Sequence, residues 1–189
     1  KHATGLFMSA NGGLTWERVP LFGSGPYRCH DIQFHPSRLG WIYVTVEALG
    51  VNSGIWRSKD GGANWHRLGD GLPPPDKTER TALALAPSDA NIIYTQIEHR
   101  TQVFGVYRSA DGGDTWSSIS GTHFIDEKQM SYNNVIVVHP EDPDWVLCGG
   151  VNLHLTQDGG QNWRQAATQS NTERGDPTYA HADHHKLVM

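Results

Sequence analysis

The chain has 189 residues, of which 37% are hydrophobic and 19% charged, a balance that fits a folded domain with a core and excludes a disordered segment. A net charge of −5 excludes the basic stripe of a nucleic-acid binder, and no apolar run is long enough to span a membrane. The 21 glycines and 7 tryptophans, set among short apolar runs, predict an all-β chain with tight turns.

In chain order, residues 5–19 hold a turn, Met8-Ser9-Ala10-Asn11-Gly12-Gly13-Leu14-Thr15-Trp16, flanked by two short strands. Residues 29–68 read as a four-stranded unit. It starts with Asp31-Ile32-Gln33-Phe34-His35-Pro36, continues with Trp41-Ile42-Tyr43-Val44, and closes on the turn Arg57-Ser58-Lys59-Asp60-Gly61-Gly62-Ala63-Asn64-Trp65. Residues 80–119 repeat this order, with Ala82-Leu83-Ala84-Leu85-Ala86-Pro87, then Asn91-Ile92-Ile93-Tyr94, then Arg108-Ser109-Ala110-Asp111-Gly112-Gly113-Asp114-Thr115-Trp116. Residues 133–167 repeat it again, with Val135-Ile136-Val137-Val138-His139-Pro140, then Asp144-Trp145-Val146-Leu147, then Leu155-Thr156-Gln157-Asp158-Gly159-Gly160-Gln161-Asn162-Trp163. Residues 184–189 predict the inner strand of a further unit. The turn tryptophans are spaced 49, 51 and 47 residues apart, the size of a propeller blade. Proline after each inner strand stops the ladder, because it has no N–H to donate.

The turn has a mechanism. The carboxylate of Asp60, Asp111 or Asp158, or the Asn11 amide, accepts backbone N–H groups within the turn. The Gly pair permits positive φ. Ser9, Ser58, Ser109 or Thr156 ties the arms together, and Trp16, Trp65, Trp116 or Trp163 buries a ring against a sheet. The motif resembles the Asp-box, or bacterial neuraminidase, repeat. That repeat occurs in sialidases, xyloglucan-hydrolysing glycosidases, sortilin-like receptor domains and photosystem-assembly propellers. Gly54-Ile55-Trp56, Gly71-Leu72-Pro73, Tyr132-Asn133-Asn134 and His181-Ala182-Asp183-His184-His185 bring the chain nearest to bacterial sortilin-like and glycosidase-like repeat proteins. The resemblance covers nearly the whole chain. It implies a β-propeller of four-stranded antiparallel blades, and it leaves activity open, because the same fold hosts unrelated functions.

Three full units and two partial ones make about four blades, and a propeller normally closes with four to eight, so an incomplete ring is expected. Its open strand edges invite pairing with another chain, including a second copy. The chain starts at Lys1 without a signal peptide and reads as a mature form, an excised piece or an incomplete sequence. Cys29 and Cys148 are too few and too distant for a disulfide framework or a zinc site.

Candidate chemistry lies away from the turns, on the face surrounding the central channel. Loops leading into inner strands carry Arg28, His30 and Asp31; Glu79 and Arg80; Tyr132, Asn133 and Asn134; and His181, Asp183 and His184. Loops joining second to third strands add Glu47, Asn52, Glu98, His99, Arg100 and Asn152. Together these residues can orient a carbohydrate or a peptide, or simply line a water-filled channel. If residues 181–185 form a strand, His181, Asp183 and His185 share one face. A glycosidase needs two carboxylates about 5–10 Å apart, and Asp31, Glu47, Glu98 and Asp183 are candidates by location alone. No spacing selects a pair, and the resemblance to sialidases lacks their Arg-Ile-Pro segment. The reading is therefore a non-catalytic propeller scaffold for a carbohydrate or protein ligand, in an extracellular or periplasmic setting, with no cofactor, metal or nucleic acid. Part of a xyloglucanase-like or sialidase-like glycoside hydrolase is the alternative.

Overall fold

The computed structural model describes residues 4–23, 25–48, 50–124, 127–169 and 177–189. Two short strands, β1 (Phe7–Met8) and β2 (Glu17–Arg18), pair antiparallel across the first Gly-Gly turn. Three four-stranded sheets follow. The first contains β3 (Tyr27–Phe34), β4 (Ile42–Ala48), β5 (Gly54–Ser58) and β6 (His66–Leu68). The second contains β7 (Thr81–Leu85), β8 (Ile93–His99), β9 (Gln102–Ser109) and β10 (Ser117–Ser118). The third contains β11 (Val135–Val138), β12 (Val146–Gly149), β13 (Leu153–Thr156) and β14 (Arg164–Ala167), and a single helical turn, α1 (Met130–Asn133), leads into it. In every sheet the spatial order follows the chain, so each connection is an antiparallel hairpin. The first strand of each sheet touches the first strand of the next, β3 against β7 and β7 against β11. The result is an open arc of a β-propeller.

Local chemistry sets these elements. After β3 and β11 the Nδ1 of His35 accepts the N–H groups of Ser37 and Arg38, and the Nδ1 of His139 accepts those of Glu141 and Asp142. Each ring thus caps the turn that its following proline opens. At the far end of each sheet the Gly-Gly turn closes itself. In the second sheet Ser109 Oγ donates to Asp111 Oδ1 at 2.8 Å and accepts the Gly113 N–H at 2.9 Å. Asp111 accepts the N–H and hydroxyl of Thr115, and Trp116 Nε1 donates to the Gly113 carbonyl at 3.0 Å. Ser58, Asp60, Gly62 and Asn64 repeat these bonds, as do Thr156, Asp158, Gly160 and Asn162. Gly113 has φ +95°, and a Cβ there would stand 2.8 Å from Leu68 Cδ1.

The sheets bury their faces against each other. Tyr43, Ile55 and Leu68 of the first sheet pack on Leu83, Ile93, Ile97, Tyr107 and Trp116 of the second. Val138 and Val146 of the third sheet pack on Ala84 and Tyr94 of the second. Between the opening hairpin and the first sheet lie Val19, Leu21, Tyr27, Val44, Val46 and Trp56. Side-chain bonds run across these junctions. Tyr43 donates to the Gly112 carbonyl at 2.9 Å, and Arg57 donates to the same carbonyl and pairs with Asp114.

Two expectations need correcting. Turn tryptophans do not all bury their rings: Trp116 is 5% exposed, whereas Trp16 is 62% exposed. Each of the other rings packs on the sheet before its own, and among the described residues none stands before Trp16. Residues 184–189 form no strand. An inner strand is held by the second strand of its own sheet, and no described segment stands there to pair with it.

Candidate ligand-binding cleft

β3, β7 and β11 stand side by side, and residues 185–187 lie across them. Together they enclose a cleft of about 370 Å³. Its polar lining is His30, Asp31, Gln33, Arg80, Thr81, Asn134, His185 and Lys186. Pairing of β3 with β4 slips by one residue between Cys29 and Asp31, which makes His30 a bulge. His30 and Asp31 both line the cleft.

Asp31 is the only carboxylate in that lining, and both of its oxygens are engaged. Oδ1 accepts from Gln33 Nε2 at 3.1 Å, and Oδ2 accepts the Leu83 N–H of the neighbouring sheet at 3.1 Å. Burial nevertheless pushes its pKa up, with those hydrogen bonds opposing. The same burial raises the neighbouring Cys29 thiol to about 11. His30 Nε2 lies 2.9 Å from Glu47 Oε2. Burial pushes the His30 pKa down, and the bond to Glu47 opposes it. Arg80 donates one guanidinium N–H to the Ser131 carbonyl at 2.9 Å, leaving other donors for the cleft. Asn134 is fixed by Gln96 and by the Arg80 carbonyl. Lys186 and His185 complete the rim, and the Tyr132 hydroxyl lies 3.1 Å from His185 Nε2. Around one hydrogen-bonded carboxylate, the cleft therefore offers a set of donors with cationic character.

The other candidate residues are placed elsewhere. Glu47 bridges Arg28 and His30 beside the cleft. Glu98 is 3% exposed and accepts the N–H groups of Arg80 and Thr101. Burial raises its pKa, and the nearby Glu79 charge adds to that. Glu79 in turn accepts the Arg100 N–H at 2.7 Å. These carboxylates hold the loop between β8 and β9 rather than face a ligand. Asn133 is fully buried in α1, so its sequence neighbour Asn134 takes the place on the wall. Asp183 has φ +67°, which breaks the alternation expected for residues 181–185, and it lies 3.7 Å from exposed His181. His184 is outside the cleft lining, and burial lowers its pKa.

Asn152 belongs to a second polar cluster that sequence reasoning missed. Glu127, 3% exposed, accepts from Asn152 Nδ2 at 2.7 Å and lies 2.8 Å from His154 Nε2. His154 Nδ1 meets His123 Nε2 at 2.8 Å. Burial works against the Glu127 charge, but the bonds from His154 and Asn152 prevail and hold its pKa below the usual carboxylate range. An ionised Glu127 only accepts, so it orders the protons along both rings. The cluster ties His123 and Glu127 to the third sheet. Both lie between the second and third repeat units, so no pattern marked them. Gln33, also missed, had a signal: it follows Asp31 at the period of 2 that places alternate strand residues on one face.

Comparison with known proteins leaves the family open and supports the fold. No family model matches the chain. A dispase autolysis-inducing protein of Streptomyces mobaraensis is 28% identical over 118 residues, covering 55% of this chain and 30% of the relative. Among solved structures, an ancestral GH74 enzyme superposes with a TM-score of 0.69 at 18% identity, over 94% of this chain and 22% of its own length. YCF48 bound to a D1 peptide gives a TM-score of 0.53 at 17% identity, over 79% of this chain and 47% of its own. The chain thus spans less than a third of the length of the first relative in either comparison.

Proposed function

We propose that this chain is a portion of an Asp-box propeller that binds an acceptor-rich ligand, a carbohydrate or an extended peptide, in its central cleft without breaking a bond. The observation that carries this reading is the lining itself. A glycosidase needs two carboxylates across one bond, and the cleft offers Asp31 alone, with both oxygens engaged. His30, Gln33, Arg80, Asn134, His185 and Lys186 instead present donors to a chain of carbonyls, hydroxyls or carboxylates. Cationic character in this cleft, on a chain of net charge −5, favours ligands that carry carboxylates. The solved propeller with a bound peptide supports the peptide form of this reading, and the GH74 likeness supports the carbohydrate form. A setting outside the cytoplasm suits either one.

The test is a titration of the purified chain with xyloglucan oligosaccharides, a sialylated oligosaccharide and an acidic peptide, followed by amide shifts. Saturable shifts at Gln33, Arg80 and Asn134, weakened at least tenfold by Arg80→Ala, are expected with one class. No saturable shift with any probe would defeat the proposal. Release of reducing sugar that disappears in Asp31→Asn would transfer the cleft to the hydrolase reading.

A further inference from the structure

The repeat allows the two junctions between the four-stranded sheets to be compared position by position. Arg57 and Arg108 hold the same place ahead of their turns, and they face the next sheet. Arg57 faces Asn91 and Asp114, whereas Arg108 faces their counterparts Asp144 and Gln161. The carboxylate has thus moved from the turn to the loop before the second strand. Arg57 crosses to the turn, donating to the Gly112 carbonyl and pairing with Asp114, and its side chain is 7% exposed. Arg108 stays back, donating to the Tyr94 hydroxyl at 3.0 Å and to Asp144 Oδ1 at 3.1 Å, and its side chain is 26% exposed. Tyrosines follow the same division: Tyr43 reaches the Gly112 carbonyl, but Tyr94 donates to the Pro143 carbonyl. Gly159 is the counterpart of Gly112, and among the described residues its carbonyl receives no donor.

Packing differs in the same sense. Trp41 fills the first junction, with Arg38 and Lys59 over its ring at 4.4 and 4.5 Å, and a Cβ on Gly112 would meet that indole at 3.4 Å. In the second sheet Ile92 stands for Trp41, Asp89 for Arg38 and Ala110 for Lys59. These shorter side chains, with the arginine held back, leave a groove of about 370 Å³ between the turns of the second and third sheets. Ala110 and Ile119 give it an apolar part, and Arg108, Ser117, Asp144 and Gln161 supply polar groups. Among the described residues, Arg108 Nη1, Ser117 Oγ, Asp144 Oδ2 and the Gln161 amide have no hydrogen-bond partner. None of these residues lines the cleft between the inner strands.

We infer that this groove is a second binding site, and that its ligand is a short neutral saccharide. The free groups differ in kind: Asp144 Oδ2 only accepts, Arg108 only donates, and Ser117 and Gln161 do both. A hydroxyl answers all of them, because it donates and accepts at one atom. Asp144 and Asp158 on the border repel an anion, and Arg108 already pairs with Asp144, which leaves little attraction for a cation. Ala110 and Ile119 offer apolar contact to the C–H face of a sugar ring. The volume falls in the range of small-ligand sites. The groove lies among the Gly-Gly turns, so its occupation is independent of whatever the central cleft binds.

The purified chain is titrated with maltose, cellobiose and xylobiose, with glucuronate as the anionic control, and amide shifts are followed. Saturable shifts at Ala110, Ser117 and Gly159 with one or more of the disaccharides, and none with glucuronate, are expected. Ser117→Ala, an exposed change, should weaken binding about fivefold, the worth of roughly one hydrogen bond. The paired change Asp144→Asn with Gln161→Asp returns the carboxylate to the place it has at the first junction. Arg108 should then cross to the turn as Arg57 does, close the groove and abolish binding. No saturable shift with any of the disaccharides would overturn the assignment, as would tighter binding of glucuronate or binding indifferent to both variants. Shifts confined to Gln33, Arg80 and Asn134 would place the sugar in the central cleft and overturn it as well, while leaving the reading of that cleft intact.

Discussion

At the outer rim, Asp60 and Asp111 are exposed and Asp158 is half-exposed, all three with low pKa values; on the cleft wall, Asp31 is partly buried with a raised one. Asp60 and Asp158 are held at about 2 by hydrogen bonds from Asn64 and Asn162 and by the hydroxyls of Ser58 and Thr156. Asp111 comes to about 2 as well, slight burial opposing and the bonds from Thr115 and Ser109 prevailing. Asp31 also has partners, but burial outweighs them. The rim therefore uses its carboxylates to close turns, and the same atoms recur in every unit. The wall holds a carboxyl where solvent does not fully support its charge, and neither of the other inner strands repeats it, Ala82 and Val135 standing at its place. Recurrence with self-contained bonding marks architecture; divergence with incomplete support marks a place where a ligand can add something.

The rim should give the largest effect where turn and core meet. Gly113→Ala puts a Cβ at φ +95° within 2.8 Å of Leu68 Cδ1, and it should cost about 2–4 kcal/mol in denaturant unfolding. Gly12→Ala, at φ +71° with nothing within 4 Å, carries backbone strain alone and should cost about 1 kcal/mol. Equal costs at the two positions would mean that the second turn is not wedged into the core.

Asp111→Ala comes next, at about 1 kcal/mol, because it strands the Thr115 N–H and frees the Ser109 hydroxyl. The pH dependence has a definite sign. A folded pKa of about 2, below the unfolded value near ~3.9, stabilises the folded chain above the unfolded pKa, and that contribution is lost as pH falls through the folded one. The difference in unfolding free energy between the parent and Asp111→Ala should therefore shrink on acidification from pH 5 toward about 2.

These contrasts also explain which parts were legible in the sequence. The three sheets and their turns were, because each unit spends the same residues on the same bonds: hydroxyl, carboxylate, paired glycines, tryptophan. Part of the wall was, since Asp31, His30 and Arg80 stand at equivalent places ahead of or within inner strands. Which of Tyr132, Asn133 and Asn134 forms the wall was not, because it depends on α1, a single turn without a pattern of its own. Glu127, His123 and His154 were illegible for the same reason: their hydrogen bonds join a segment outside the repeat to a strand within it. The exposure of Ile32 and Phe34 was invisible in another way, since their residue types match those of the buried Leu83 and Val138 and only their packing distinguishes them.

Asp31→Asn should reverse the behaviour of the rim. Its folded pKa is raised, so the charged form is disfavoured by folding. Stability on its account is full below the unfolded pKa and is lost as pH rises through the folded one. The amide oxygen still accepts the Leu83 N–H, and Gln33 can turn its own amide oxygen toward the new NH2, so at pH 7 the variant should unfold at the parent's denaturant midpoint or slightly above it. Affinity for the cleft ligand should change while the melt does not. A clear loss of stability at pH 7 would make Asp31 a structural residue like Asp111.

The smallest effect belongs to the first turn. Asn11 takes the place of the aspartates and makes most of their bonds, accepting from the Ser9 hydroxyl and the Thr15 N–H and donating to the Thr15 hydroxyl. It is uncharged, so Asn11→Ala should add no acid-dependent term. The turn covers little: Leu14 is 84% exposed and Trp16 62%. Hydrogen bonds exchanged with water contribute only modestly where nothing is buried above them, so the change should cost a few tenths of a kcal/mol, read by thermal unfolding at pH 3 and pH 7. A loss near 1 kcal/mol would show that the turn's own bonds, rather than the packing beneath them, set its worth, and the larger cost of Asp111→Ala would then owe nothing to the core it sits on.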